Sequence, residues 1–317
     1  MKRIVSACVL TCVLVLPLPL RAGVVSGTAI NRTTEKPAEG VEVQLFGTTS
    51  SVASGRDTTD DRGLFSFGDV TPGEYVLGAT YEGVSYFERN VLIGDAASEV
   101  SRDLDLYEST NSSEAIRIRT DHVILDASDE NPQVTEVIVF ENTGKRSYLG
   151  EVSPASPSGH LLALPLPTGY TGLSAPDRIL MRIFDRSENG FRLALSLSPG
   201  ITQINFTYRV PSGFLGVRMA RRFPFAVNKV NIAVPTDAGW RLRSDDLTNR
   251  EQANLRGKTY LIAGGGPFEA GREVVIRLSR GLLGTGIPTG RAAWGFGGFL
   301  IAGASLTWIL RQGRKYE

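Results

Sequence analysis

Two histidines, His122 and His160, and two cysteines, Cys8 and Cys12, are all the imidazole and thiol groups in the chain. A zinc centre takes three or four nitrogen, sulfur or carboxylate ligands. No His-x-His or His-Glu-x-x-His spacing occurs, so zinc would need distant carboxylates. No metal and no cofactor is therefore expected. The members of a Ser-His-Asp triad need not be close in sequence, so spacing alone does not exclude one. The Gly-x-Ser-x-Gly turn that would support one is absent. A lone histidine beside a strand is ordinarily a surface or internally satisfied residue, and both are read that way.

The acidic runs Asp57 to Asp61 and Asp126 to Glu130 offer oxygens of the kind calcium takes, without the full twelve-residue loop pattern. Solvated turns account for both. Gly264-Gly265-Gly266 and Gly284-x-Gly286 are followed by Pro267 and Pro288 rather than by a helix start. A phosphate-binding loop needs that helix, so these are read as loop or linker glycines. Arg218, Arg221 and Arg222 form the densest basic cluster and are read as a solvated strand face or hairpin rim. With a formal net charge of +1, the chain lacks the basic field that nucleic-acid binding requires.

Binding is easier to place than catalysis. Tyr81, Tyr86 and Phe87 are close in sequence and would suit a stacking platform for sugar, or the core of the last strands of their domain. Glu151–His160 and Asp245–Gly257 are long for hairpin loops, and long loops on sandwiches often carry binding.

The two ends predict where these groups are displayed. Lys2 and Arg3, the apolar run from Ile4 to Leu16, and Pro17 and Pro19 before Ala22 make 1–22 a secretory signal peptide. Its removal takes both cysteines with it. A lipoprotein signal ending at Cys12 is an alternative that Val9-Leu10-Thr11 fits poorly. Residues 292–310 are free of charge and close to the ~20 residues a helix needs to cross a bilayer. Trp294 and Trp308 sit near the two ends, and Arg311, Arg314 and Lys315 follow. The positive-inside rule puts 311–317 in the cytoplasm and the bulk of the chain outside, in the periplasm or at the cell exterior.

Between these ends the apolar pattern has the period of strands. Val41, Val43 and Leu45 alternate with Glu42 and Gln44, and Phe65 and Phe67 flank Ser66. Asp60 and Gly63 are read as a tight hairpin turn. Val25-x-Gly27, Pro37-x-x-Gly40-Val41-x-Val43-x-Leu45, Thr59-Asp60-x-x-Gly63-x-Phe65-x-Phe67 and Pro72-Gly73-x-Tyr75-x-Leu77 follow in order. This series resembles the carboxypeptidase regulatory-like (transthyretin-like) domain. The resemblance implies a seven-strand β-sandwich serving as an accessory module. In that family peptidase chemistry belongs to a separate catalytic domain, and none follows here.

A polar stretch, 108–113, is read as a linker into a second β region. Ile204, Phe206, Tyr208 and Val210 alternate with Asn205, Thr207 and Arg209 as its cleanest strand. The expected fold class is all-β, with tandem Ig-like/transthyretin-like β-sandwiches and one C-terminal transmembrane helix. The expected domains are a sandwich over 23–107, a second over 114–212, a membrane-proximal β region over 213–283 that can belong to the second, and a spacer over 284–291. The expected function is a membrane-tethered, non-catalytic interaction or scaffold module with a protein partner outside the cytoplasm. Alternatives are a carbohydrate-binding surface module and a hydrolase with a dispersed site.

Overall fold

A computed structural model describes residues 23–48, 52–94, 98–126, 131–152, 160–176, 184–187, 189–213, 216–237, 239–255 and 257–280. All regular structure in these residues is β. No helix among them is long and apolar enough to cross a membrane. The segments 1–22, 284–291, 292–310 and 311–317 lie outside the described residues, as does most of the loop after Val152.

The chain forms two compact units. The first takes in the strands up to residue 105, except for 31–34 and 81–85, which group with the second. Its strands are β1 (Gly23–Asn31), β2 (Lys36–Pro37), β3 (Glu42–Gly47), β4 (Ala53–Thr58), β5 (Leu64–Val70), β6 (Gly73–Tyr81), β7 (Val84–Ile93), β8 (Glu99–Ser101) and β9 (Leu104–Leu106). β1 is the hub of one sheet, pairing with β2, β5, β8 and β9. The other sheet runs β4-β3-β6-β7. Alternation decides which side chains are inside. Val25, Ala29, Val43, Leu45, Phe65, Phe67 and Leu77 are all buried, while Ser26, Gln44 and Ser66 point outward. The two sheets make the β-sandwich that the family resemblance implies, with nine strands among the described residues where that resemblance implies seven.

The turn at Asp60 differs from its expected role. Asp60 Oδ1 accepts from the amides of Arg62 and Leu64 at 2.9 and 2.7 Å. Gly63 takes φ +76, with the Ala29 carbonyl only 2.6 Å from where a Cβ would stand. The turn is tight, yet β4 and β5 belong to different sheets. It therefore carries the chain across the sandwich rather than closing a hairpin.

The second unit contains β10 (Ser109–Thr110), β11 (Ile116–Asp126), β12 (Gln133–Asn142), β13 (Ser147–Tyr148), β14 (Glu151–Val152), β15 (His160–Pro165), β16 (Thr171–Ser174), β17 (Phe184–Ser187) and β18 (Gly190–Leu193). It continues with β19 (Gly200–Arg209), β20 (Val217–Arg222), β21 (Val230–Pro235), β22 (Trp240–Arg243), β23 (Asn249–Leu255), β24 (Lys258–Gly265) and β25 (Glu273–Arg280). A seven-stranded sheet runs β16-β19-β12-β11-β21-β24-β23, beside a four-stranded sheet β14-β15-β18-β17 and a three-stranded sheet β20-β25-β22. One apolar core joins all three sheets, from Ile116 through Phe191 and Phe206 to Leu278. Phe191 of β18 meets Phe206 of β19 edge to face at 4.9 Å. Residues on both sides of 212 thus share one sheet and one core. In the polar stretch 108–113, Ser109 and Thr110 form a short strand paired with Ser147 and Tyr148.

Two local expectations are corrected. Much of Asp245–Gly257, read as a loop, is the strand β23. Gly264 and Gly265 end strand β24 rather than lying in a loop. A Cβ on Gly265 would stand 2.3 Å from the Asp246 carbonyl, so it is a close-approach glycine.

Candidate functional site

Among the described residues, a dense cluster of polar side chains is buried in the second unit. Glu136 occupies the inward phase of β12, between Val134 and Ile138. Asp121 occupies the inward phase of β11, after a bulge between Ile118 and Thr120 shifts that strand's phase. Arg221 lies on β20 in line with Val217, Met219 and Phe223, all buried. Its Nη2 donates to Glu136 Oε1 and, at 3.4 Å, to Asp121 Oδ2. Its Nη1 donates to the Pro165 carbonyl at 3.3 Å, and its guanidinium lies 5.8 Å from the Phe223 ring centroid. Tyr208 of β19 donates to Glu136 Oε2 at 2.9 Å.

Two carboxyls therefore face one guanidinium in a site where each acidic group is 0% exposed. Burial disfavours their charged forms more than Arg221 favours them, so both are raised, Glu136 to about 8. Asp121 Oδ1 has no hydrogen-bond partner among the described residues, which adds to the cost of charging both acids. The pair keeps one proton at neutral pH, leaving one carboxylate for one guanidinium. With every member buried, no substrate reaches the cluster in this conformation. It is a polar bolt between sheets rather than a reaction centre.

This corrects the reading of the arginine cluster as a solvated face. Arg218 and Arg222 point outward and pair with Glu273 at 3.8 and 3.5 Å. Arg221 points into the core. The signal was in the sequence: Val217-x-Met219-x-Arg221-x-Phe223 keeps strand period, and so does Val134-x-Glu136-x-Ile138.

His122 stands beside Asn231, with Nδ1 and Asn231 Nδ2 3.3 Å apart. Burial first, and then Lys229, lowers its pKa to about 4, so the ring is neutral. Its recorded partner is an amide rather than a carboxylate or hydroxyl, which is the arrangement of a satisfied histidine. In the acidic run of the first unit, Asp57 Oδ2 accepts from the Ser66 amide at 2.7 Å, and Asp60 caps its own turn. Among the described residues, no three metal-ligating side chains come together.

The predicted aromatic platform divides. Tyr86 is buried in the first sandwich, and Tyr81 is half-buried, its hydroxyl accepting from Asn31 Nδ2 at 3.2 Å. Phe87 alone is well exposed, at 59%. Its neighbour is Phe46 of β3. Both rings lie over Gly78 of β6, 3.2 and 3.1 Å from where a Cβ would be. The absence of a side chain at Gly78 lets the two rings settle on the outer face of the sheet. The sequence reading missed this pair because the rings come from strands 41 positions apart.

A family profile described as BOS complex subunit NOMO1-like, second beta sandwich domain, matches residues 23–96. The first unit is thus a β-sandwich of the transthyretin/Ig-like kind, and the match does not single out the carboxypeptidase regulatory-like family. No curated protein matches the chain. Solved structures with partial likeness include the M1 zinc metallopeptidase from Deinococcus radiodurans, with a TM-score of 0.31 and 10% identity over 52% of this chain and 42% of that one. Legionella pneumophila aminopeptidase A gives 0.34 and 10% over 53% of this chain and 22% of that one. The major pilin SpaD from Corynebacterium diphtheriae gives 0.24 and 11% over 63% and 60%. The chain spans less than half the length of either peptidase. Superpositions this partial transfer no activity.

Proposed function

We propose that this protein is a membrane-tethered, extracytoplasmic β-sandwich module that acts through protein interaction and carries no catalytic centre of its own. The observation that carries this reading is the match of residues 23–96 to a β-sandwich domain of a complex subunit. The motif series through Gly40, Asp60, Gly63 and Tyr75 supports the finer assignment to a carboxypeptidase regulatory-like accessory module. The charge-free stretch 292–310 with its basic tail supports the tether, and the leader 1–22 supports export. The chemistry of the second unit is consistent with a structural role, because its strongest polar cluster is closed to solvent.

The test is chemical crosslinking on intact cells, followed by recovery of the full chain from membranes. The expected result is that carbonate washing leaves the chain in the pellet and that one extracytoplasmic protein is recovered reproducibly. Release by carbonate would remove the tether, and the lack of any specific crosslinked protein would remove the interaction role.

A carbohydrate-binding role is a second reading, favoured by Phe46 and Phe87 over Gly78. Rings on an outer face can stack on sugar. Retention on a glycan array that disappears in Phe87→Ser would support it.

A further inference from the structure

The sheet β4-β3-β6-β7 ends at β7, a ten-residue edge strand. Long edges present unpaired amides and carbonyls and are templates for another strand. β7 also carries two of the exposed large apolar residues, Phe87 and Leu92, at 59% and 61%. Among the described residues, Glu88 and Arg89 at its centre have no ion-pair partner.

The phase of β7 changes in its middle. Val84 and Tyr86 are buried before the centre, and Val91 and Ile93 after it. A regular strand keeps one parity, but these inward residues switch from even to odd. Asn90, at φ 60°, lies within the switch, as in a β-bulge. The switch has a symmetry consequence. In antiparallel pairing, residues directly opposite share a face. A two-fold axis between Glu88 and Arg89 sets residue 88 of one copy against 89 of the other. In an unbroken strand that register would oppose inward to outward residues. With the switch, Val84 meets Ile93 and Tyr86 meets Val91 on the inner face, while Glu88 meets Arg89 twice.

We infer that β7 pairs antiparallel with β7 of a second copy of this chain, in the register that sets each Glu88 against the Arg89 of the other copy. Two four-stranded sheets would then become one continuous sheet, with backbone hydrogen bonds supplying affinity and the two charge pairs fixing register. Phe87 and Leu92 would be drawn towards the seam, reducing the apolar surface left in water. The pairing is isologous and closes at two copies.

The experiment measures the self-association of the full chain in detergent by sedimentation. Wild type is expected to dimerise. Glu88→Arg and Arg89→Glu each set like charges opposite one another, and each is expected to weaken the dimer by about tenfold or more. The double swap E88R/R89E restores opposite charges and is expected to recover wild-type association. A second measurement uses S85C/L92C, whose positions face each other in this register at a separation that suits a disulfide. Mild oxidation in membranes should give a covalent dimer that wild type does not form. A monomeric wild type, single variants that associate normally, a double swap that fails to recover, or uncrosslinked S85C/L92C would each overturn the proposal.

Discussion

Tyr208 donates its phenol hydrogen to Glu136 Oε2 at 2.9 Å, from a strand that borders Glu136's own in the seven-stranded sheet. That bond occupies the oxygen Arg221 leaves free, so both carboxyl oxygens of Glu136 are engaged within an apolar core. A buried carboxyl group persists only with such partners. The integrity of the second unit therefore depends on the members of the cluster acting together.

Removing the guanidinium alone should be severe. Arg221→Met leaves two buried carboxyls facing each other, and the expected loss is about 3–5 kcal/mol of unfolding free energy. The triple variant R221M/E136Q/D121N removes every charge and should recover most of it. Denaturant unfolding of the full chain, followed by tryptophan fluorescence, checks both.

The pH dependence has a defined sign. Glu136 is held in the folded state at about 8, above its ordinary value of 4.5, mainly by burial. Its stabilising contribution is complete below the unfolded value and is lost as pH rises to about 8. His122 acts the other way: its folded value of about 4 lies below 6.5, so stability is gained as pH rises between them. Above pH 6.5 only the carboxyl slope remains. The melting temperature should fall from pH 6.5 to 8 and then level off. Asp121→Asn supplies a permanently neutral partner and should flatten that fall. A wild-type profile that rises across this window would contradict the charge assignment.

Thr59 is a small test of the first unit. Its Oγ1 accepts from the Val41 amide at 2.8 Å and donates to the Ala38 carbonyl at 2.6 Å. Thr59→Val keeps the shape and orphans two backbone groups. The expected cost is about 1–3 kcal/mol, read from denaturant midpoints.

Glycine positions separate steric from conformational demands. A Cβ on Gly27 would stand 1.8 Å from the Arg102 carbonyl, so Gly27→Ala must push strands apart, at about 1–3 kcal/mol. At Gly40, with φ +73, a Cβ meets nothing within 4 Å. Gly40→Ala should cost only the left-handed backbone penalty, about 1–2 kcal/mol. A Gly27→Ala variant as stable as wild type would contradict the close approach at Gly27.

The strands were legible wherever one face alone is apolar. Ile204, Phe206, Tyr208 and Val210 are buried as their alternation demands, and so are Val43 and Leu45. Pairing was less legible. The Asp60 turn has the residues of a hairpin, but local chemistry does not say which sheet receives the next strand. The polar cluster keeps the phase of buried positions, but its residue types are those of a solvated face. Arg221 and Glu136 sit where apolar residues belong, and only three-dimensional placement shows that each is the other's reason for being there. The surface pair was not legible, because Phe46 and Phe87 meet through a glycine on a third strand.

The parallel ladder between β11 and β21 joins Asp121 to Val230, roughly a hundred residues further along the chain. Contacts that distant close slowly, because a long loop must be ordered before it gains anything in return. Until β21 arrives, one side of β11 is an open hydrogen-bonding edge, and Arg221 on β20 has not reached its two acids. A nascent chain ending near residue 212 would thus expose a sticky rim and two uncompensated carboxyls. The first sandwich can mature from its own strands, but the second must wait for its last ones. During that wait the chain is most exposed to misassembly.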